Sequence, residues 1–129
     1  MSILNPMSLP TGSAGEVYST EETRIGTWID GKPLYRRVYQ ITTPAEDTGE
    51  SAYYICKNIP IPDTWENMRC YGFMVDRYNF SMPIPSYWQS GMYIIAAPQP
   101  GQYLMLKSRG PNNLNRPATI ILEYTKTTD

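Results

Sequence analysis

The 129-residue sequence contains no histidine and only two cysteines, and these absences exclude several kinds of site. Without an imidazole, neither a Ser-His-Asp nor a Cys-His catalytic set can form. Cys56 and Cys70 lack the Cys-x-x-Cys spacing, and no glycine-rich phosphate loop occurs, so neither a metal nor a cofactor is expected. Given synthesis in a reducing cytosol, the two cysteines are expected to be small buried side chains, with a disulfide between them as the alternative.

An excess of charge of either sign is also lacking. Eleven basic residues face twelve acidic ones, which leaves a net charge of −1, and Arg36-Arg37 is the only adjacent basic pair. Nucleic-acid binding is therefore not expected, because it requires a basic patch or stripe. The longest apolar run, residues 93–98, is too short to span a bilayer, and the N-terminus has no signal-peptide pattern. We expect a soluble protein made in the cytosol, without a membrane segment.

The residues that are abundant favour strands. Eleven Tyr, three Trp and twelve Pro are typical of short β-strands separated by turns. The length fits one domain with its own core. About seven antiparallel strands, each with one apolar face, would close into two packed sheets. The predicted fold is an all-β antiparallel β-sandwich of jelly-roll character over residues 18–129, preceded by a flexible leader or fibre joint over residues 1–17.

Asp30-Gly31 is the clearest turn signal in the chain. The dipeptide lies between apolar or β-branched residues, and both central positions of a type I′ hairpin turn need the positive φ that Asp and Gly tolerate. A two-residue turn would pair Ile29 with Lys32 and Trp28 with Pro33. Pro33 would then mark a sheet edge, since proline cannot donate to a second neighbouring strand.

The rest of the chain predicts further strands and loops. Residues 64–78 fit a helix, from the capping-box spacing of Asp63 and Glu66, or a strand, from their period-two pattern, and the interior Gly72 favours the strand. Residues 79–91 are expected to form one long loop. The final strand should have one core face and one mostly polar face. The strands predicted after the hairpin are residues 34–41, 53–56, 68–75, 92–97, 102–107 and 118–125.

The two ends of the sequence resemble one known family. GTWIDGKPLY (residues 26–35), preceded by YSTEE (residues 18–22), and the terminal EYTKTTD (residues 123–129) are similar to a domain at the extreme C-terminus of tail and receptor-binding proteins of bacteriophages and prophages. The resemblance covers the first quarter of the domain and its last strand. It implies a β tail-tip domain in the virion tail, often trimeric, that attaches to the host cell surface alongside other tail proteins.

No catalytic or ligand residue carries over from this family. Its members usually follow a long fibre or baseplate segment, whereas 17 residues precede Tyr18 here. We therefore expect either a piece of a longer tail protein or a short separate tip.

Aromatic residues are the candidate ligand contacts. Trp65, Tyr87 and Trp88 lie in segments interpreted as loops or strand edges, where flat rings can stack on the apolar faces of sugars. The same rings could instead seal the ends of the sandwich or a subunit interface. The segment 79–91, which carries the adjacent Tyr87 and Trp88, is the predicted glycan-binding loop.

Paired carboxylates are the catalytic route that the residue types leave open, since some tail proteins cleave host polysaccharide. The candidates, which lie in or beside predicted loops, are Asp47, Glu50, Asp63, Glu66 and Asp76. Acidic loop residues are usually solvated, and a small β domain rarely builds a deep cleft. The sequence thus predicts a homotrimeric domain that binds bacterial cell-surface glycan without catalysis. A structural cap that folds and trimerises a fibre end is the alternative, and glycan cleavage a more distant one.

Overall fold

In a computed structural model the chain folds into two packed antiparallel sheets, which confirms the predicted β-sandwich. The structure describes residues 17–45, 54–89 and 92–129. Within these ranges the only helix is one 3₁₀ turn, Pro111–Asn113, and no helix is long and apolar enough to cross a membrane. The strands are β1 (Thr23–Thr27), β2 (Pro33–Thr42), β3 (Tyr54–Pro60), β4 (Trp65–Val75), β5 (Ser81–Ile84), β6 (Ser86–Gln89), β7 (Met92–Pro98), β8 (Tyr103–Arg109) and β9 (Pro117–Lys126).

Nested strand pairing gives the sandwich its jelly-roll character. The larger sheet has five strands in the order β1-β2-β9-β4-β5, and the smaller has four in the order β3-β8-β7-β6. Early strands pair with late ones, β2 with β9 and β3 with β8, while local hairpins such as β4–β5 and β7–β8 complete the sheets. The last strand therefore lies at the centre of the larger sheet, between β2 and β4.

The core lies between the sheets and follows from the period-two patterning of the strands. On β9, the predicted core face of Ala118, Ile120, Leu122 and Tyr124 is buried. Side chains of both sheets meet these residues in one cluster. Its buried members are Cys56, Ile59, Ile61, Trp65, Met74, Ile84, Ile94, Leu104, Leu106, Ala118, Ile120, Leu122 and Tyr124.

The segment that fitted either a helix or a strand is a strand. β4 begins at Trp65 rather than at Met68 and pairs with β9 and β5. Gly72 approaches the central strand so closely that a Cβ atom there would be 1.9 Å from the carbonyl oxygen of Thr119. Only glycine permits this approach. The interior glycine that disfavours a helix is therefore required by the sheet.

The prediction of one long loop over residues 79–91 is wrong. This segment contains β5 and β6, which are edge strands of different sheets, and the chain passes between the sheets at the cis peptide bond Ile84-Pro85. Pro83 lies within β5, opposite Phe73. An edge strand tolerates proline because one side of its hydrogen-bond ladder has no neighbour. The closely spaced prolines were thus compatible with strands as well as with a loop.

The hairpin at Asp30-Gly31 is present, but its predicted register is wrong. β1 pairs Thr27, not Trp28, with Pro33. The loop consequently has three residues, 29–31, instead of two. The strand pairing continues to Thr23 opposite Arg36, with an irregularity between Arg24 and Gly26.

The turn is also of a different type from the predicted type I′. Trp28 N donates to Lys32 O at 2.8 Å, and Gly31 N donates to Trp28 O at 2.9 Å. Gly31 has a φ of 91°, whereas Asp30 does not adopt a positive φ. The Asp30 carboxylate instead accepts a hydrogen bond from Lys32 N at 3.0 Å. This is the three-residue hairpin loop in which one left-handed glycine follows a β-turn.

Candidate functional site

The candidate site lies on the outer face of the larger sheet, the side turned away from the core. Central strand β9 contributes Thr119, Ile121, Glu123 and Thr125 to this face, which was predicted to be mostly polar. Ile121, Glu123 and Thr125 are nevertheless buried. Side chains of β2 and β4, and the segment that precedes β1, cover much of the strand from this side.

Around Glu123 the outer face forms a compact ionic cluster, which we call the charged half. Strand register places Arg36 of β2 and Arg69 of β4 directly opposite Glu123. Arg36 donates to Glu123 Oε2 from Nη2 at 2.6 Å and from Nε at 2.9 Å. Arg69 Nη2 lies 2.6 Å from Oε1, and the Tyr71 hydroxyl donates to Oε2 at 2.6 Å. The buried carboxylate is thus surrounded by donors, as a buried charge requires.

These contacts determine the protonation states within the cluster. Burial alone would raise the pKa of Glu123, but hydrogen bonds from Tyr71 and Arg36 and the charges of two arginines outweigh it and hold the pKa below its ordinary value. Burial and the hydrogen bond to Glu123 raise the pKa of Tyr71 to about 12. Glu123 is therefore a fixed anion beside a neutral Tyr71, and neither is set up to exchange protons near neutral pH.

Two aromatic rings flank the charged half. The guanidinium carbon of Arg36 lies 4.3 Å from the ring centroid of Tyr18, and that of Arg69 lies 5.6 Å from the Trp28 ring. Arg36 also donates to the carbonyl oxygen of Val17 at 3.3 Å. The contact with Tyr18 and the hydrogen bond to Val17 hold the chain that leads into β1 against the sheet, and the contact with Trp28 holds the hairpin loop. The protein's own side chains consequently bury the Arg36–Glu123 pair at the centre of the charged half, while Arg69 stays half exposed at its edge.

The other half of the face is an open groove of about 590 Å³. Gln40, Thr119 and Phe73 form one row across it, directly opposite one another on β2, β9 and β4. The chain leading into β1 makes one wall, held by the hydrogen bond from Val38 N to Ser19 O at 2.9 Å. None of the lining residues that the structure describes is charged: they are Tyr18, Ser19, Thr20, Val38, Gln40, Phe73, Thr119 and Ile121.

Gln40 also borders two smaller clefts at the exposed edge of β2, of about 480 and 350 Å³. β1 pairs with β2 only over residues 33–36, so no described strand pairs with this edge near Gln40. Asn58 of β3 lines both clefts. Their one described cation, Arg37, is occupied, because its Nε donates to the Thr20 carbonyl at 3.0 Å. We call the groove and these two clefts together the Gln40 cleft.

The chemistry of the Gln40 cleft suits a neutral, hydroxyl-rich ligand. Amides such as Gln40 and Asn58 and hydroxyls such as Thr119 both donate and accept hydrogen bonds. Tyr18 and Phe73 add exposed rings to the rim. Such rings stack on the apolar faces of sugars while the polar groups fix orientation. The arrangement can bind a saccharide, and it brings no acid–base pair to the ligand from the described lining residues.

The structure separates the three predicted ligand-binding aromatic residues. Trp65 is 7% exposed, and its ring stacks on Tyr124 with centroids 3.7 Å apart, so its predicted role as a ligand contact is wrong. It seals one end of the sandwich, the alternative that the sequence left open. Tyr87 and Trp88 belong to β6, where Tyr87 is opposite Tyr93. Their side chains lie outside the described part of the structure, and their role stays a prediction.

Of the carboxylates that the sequence offered as a catalytic pair, the structure describes three, Asp63, Glu66 and Asp76. Glu66 Oε1 lies 3.1 Å from Lys32 Nζ, and the buried Asp76 accepts backbone hydrogen bonds. These two lie at opposite ends of β4, roughly 30 Å apart by strand rise, whereas a glycosidase pair needs about 5–10 Å. Asp63 is exposed in the turn before β4, while Asp47 and Glu50 lie outside the described residues. No metal-binding group of three or more side chains occurs among the described residues.

The sequence did not reveal the exposed turn between β4 and β5, residues 76–80, which we call the aromatic turn. Asp76 Oδ1 accepts hydrogen bonds from Tyr78 N at 2.8 Å and from Phe80 N at 3.0 Å. Asn79 has a φ of 66°. Asp and Asn are the residues that such turns favour, so their spacing was the available signal. Tyr78 is 58% exposed and Phe80 65%.

Both cysteines are free, as expected for small interior side chains. Cys56 is buried on β3 and Cys70 is partly buried on β4. Burial raises the pKa of Cys56 to about 11 and that of Cys70 to about 12. Both are therefore protonated and poorly nucleophilic at neutral pH.

Comparison with protein-family models, with curated proteins and with solved structures gave no match. The geometry alone defines an antiparallel β-sandwich that presents a groove with an aromatic rim and no charge among its described lining residues. That description, together with the sequence resemblance, is the basis for a functional proposal.

Proposed function

We propose that this chain is a tail-tip domain of a bacteriophage or prophage, which attaches to the bacterial surface by binding a cell-wall glycan. It acts as a homotrimer, alongside other tail proteins and without catalysis. The observation that carries the proposal is the Gln40 cleft, where amides and hydroxyls are combined with exposed rings and no charged side chain lines the groove. This is the chemistry that recognises a neutral sugar surface.

The positions of the two family-like segments support the tail-tip assignment. Residues 26–35 form most of the β1–β2 hairpin, and residues 123–129 contain the last residues of β9. The two segments lie side by side, because Tyr35 is opposite Tyr124. The Tyr35 hydroxyl donates to Asp129 Oδ2 at 2.8 Å. Glu22, from the preceding YSTEE segment, accepts hydrogen bonds from Tyr124 at 2.6 Å and Lys126 at 2.7 Å. The resembling segments thus form one structural unit rather than two unrelated matches.

Trimerisation matters because a single shallow site binds sugar weakly. Three copies that face one cell surface raise the overall avidity without any new contact. Exposed apolar side chains on and beside the smaller sheet, Tyr54, Ile55 and Tyr103, offer a surface for such association. Light scattering should therefore give three times the 14.7 kDa chain mass.

The binding test compares wild type with Gln40→Ala on purified neutral cell-wall polysaccharide by calorimetry. Losing the hydrogen bonds of the Gln40 amide should weaken binding about tenfold. Gln102→Ala is the matched control, since Gln102 is an exposed glutamine outside the described cleft lining. Trp88→Ala in the same assay tests the contact predicted from sequence.

Equal binding by wild type and Gln40→Ala would move the site away from the cleft. A wild-type trimer that binds no wall glycan would favour the structural cap instead. The described features that favour that alternative are the closed charged half and the apolar residues of the smaller sheet.

A further inference from the structure

We infer that the aromatic turn is a second saccharide contact that acts together with the Gln40 cleft. The ligand would then be an extended uncharged polysaccharide chain rather than a single sugar or a disaccharide. This inference rests on the proposed function, which it makes more specific.

The first observation is the exposure of the turn's rings. Tyr78 and Phe80 are the two most exposed aromatic side chains that the structure describes. They lie two residues apart at the tip of one hairpin. Two exposed rings on such a tip can serve as an apolar platform for stacking on the faces of sugars.

The turn is also held in place before any ligand arrives. The buried Asp76 carboxylate fixes both ring-bearing residues through their backbone N–H groups. Arg77 N donates to the Asn112 carbonyl at 3.2 Å, which ties the turn to the 3₁₀ segment. The Arg77 guanidinium donates to the Tyr78 hydroxyl at 3.3 Å. A preorganised platform loses little conformational entropy on binding.

The position of the turn connects it to the cleft. Phe73, which lines the groove, and Asp76, which begins the turn, belong to one stretch of chain that runs along β4. Three residues of strand span about 10 Å. A chain of several sugar rings could therefore contact both regions at once. A monosaccharide in the groove is too short to do so.

The ligand class follows from charge. The described lining of the groove is uncharged, and the Asp76 carboxylate is already occupied by backbone donors. Arg77 is the only cation of the turn and contacts Tyr78. A neutral hydroxyl-rich chain fits this surface better than a phosphate-bearing polymer, which would require several unoccupied cations.

The experiment measures affinity for neutral bacterial oligosaccharides graded from disaccharide to octasaccharide, with a polyol-phosphate polymer as the charged arm. Wild-type affinity should rise with length. The double variant Tyr78→Ala/Phe80→Ala should keep wild-type affinity for the disaccharide and lose about tenfold for the longest oligomer. Gln40→Ala should weaken binding at every length. Ile29→Ala, which removes an exposed apolar side chain from the β1–β2 hairpin loop, is the matched control.

Each other outcome overturns the inference in a distinguishable way. Length-independent wild-type affinity, or a double variant equal to wild type, removes the second contact but leaves the attachment function standing. Preference for the polyol-phosphate polymer would show that the ligand is not a neutral polysaccharide, and would leave the second contact standing. Loss of the oligomer mass in the double variant would make the turn a subunit interface. A wild type that binds no saccharide defeats the proposed function as well. Circular dichroism checks folding, and Tyr78→Ala alone replaces the double variant if that does not fold.

Discussion

The two halves of the outer face use the same three strands for opposite purposes. In the charged half, the row across β2, β9 and β4 is Arg36, Glu123 and Arg69. In the open half, the corresponding row is Gln40, Thr119 and Phe73. Thr119 lies four residues before Glu123 on β9, which is about 13 Å by strand rise. The first row is sealed by the protein's own contacts, whereas the second faces an open groove.

The difference lies in whether polar groups find partners inside the protein. Every oxygen of the Glu123 carboxylate has a donor from a neighbouring strand, so this carboxylate has nothing left to offer a ligand. In the open half, the groups around Gln40 face the groove. Satisfied polar clusters contribute order and stability, and unoccupied ones contribute recognition. We therefore expect substitutions in the closed half to change stability and those in the open half to change binding.

Glu123→Ala should have the largest effect on stability. It leaves the buried Arg36 guanidinium without its carboxylate, and breaking a buried ion pair in this way costs about 3–5 kcal/mol. Urea unfolding measures the loss as a lower midpoint. Gln40→Ala is the matched control in the open half and should stay within about 0.5 kcal/mol of wild type.

A loss below about 1 kcal/mol for Glu123→Ala would mean that the cluster behaves like a surface ion pair. A comparable loss for Gln40→Ala would mean that the open half is also structural. Either result would break the contrast between the halves.

Acid should lower the stability of the protein less than Glu123→Ala does, because a protonated Glu123 keeps its size and one acceptor oxygen. The pKa of Glu123 is lower in the folded protein than its ordinary value of 4.5. Its ionised form therefore contributes stability that is fully present above that value and is lost as pH falls through the folded-state pKa. Glu22, whose pKa is also lowered despite its burial because it binds Lys126 and Tyr124, adds a loss of the same sign.

Urea midpoints measured between about pH 7 and about pH 3 test this dependence. Wild type should lose stability below pH 4.5, and Glu123→Gln, which cannot titrate, should lose less over the same interval. Parallel curves for the two proteins would show that Glu123 does not carry the acid sensitivity.

Local sequence was enough for the strands but not for the outer face. The alternation over residues 118–125 predicted the last strand and its core face correctly. It could not show that the other face is buried, because the partner Arg36 lies 87 residues away in the chain. A Glu flanked by Leu and Tyr looks the same whether solvent or two arginines cover it. Pairing across the sheet decided the outcome.

The candidate site was hidden for a similar reason. Gln40 is an ordinary polar residue in an alternating strand, and it borders a cleft because β1 pairs with β2 only as far as Arg36. Trp65 was mistaken for a surface ring because its partner, Tyr124, comes from the last strand. Nothing within a few residues of either position indicates these relations. The fold class followed from periodicity, whereas the site depends on how far particular strands extend.

The smallest expected effect is at the hairpin whose closing residue Trp28 flanks the charged half. Gly31 has a φ of 91°, and a Cβ atom there would meet nothing within 4 Å. Gly31→Val therefore changes backbone strain without creating a clash, and a β-branched residue in this conformation costs about 1–2 kcal/mol. Thermal unfolding should show a lower midpoint, while glycan binding at the Gln40 cleft should be unchanged.

Gly26→Val provides the matched control for this prediction. A Cβ at Gly26 also meets nothing within 4 Å, but Gly26 lies in β1 and does not have a positive φ. Because valine suits strands, this variant should be as stable as wild type or slightly more stable. Equal losses at Gly26 and Gly31 would show that the left-handed conformation is not the cause. An unchanged midpoint for Gly31→Val would show that the hairpin loop accommodates valine without strain. The stability of the charged half would then not depend on the geometry of this loop.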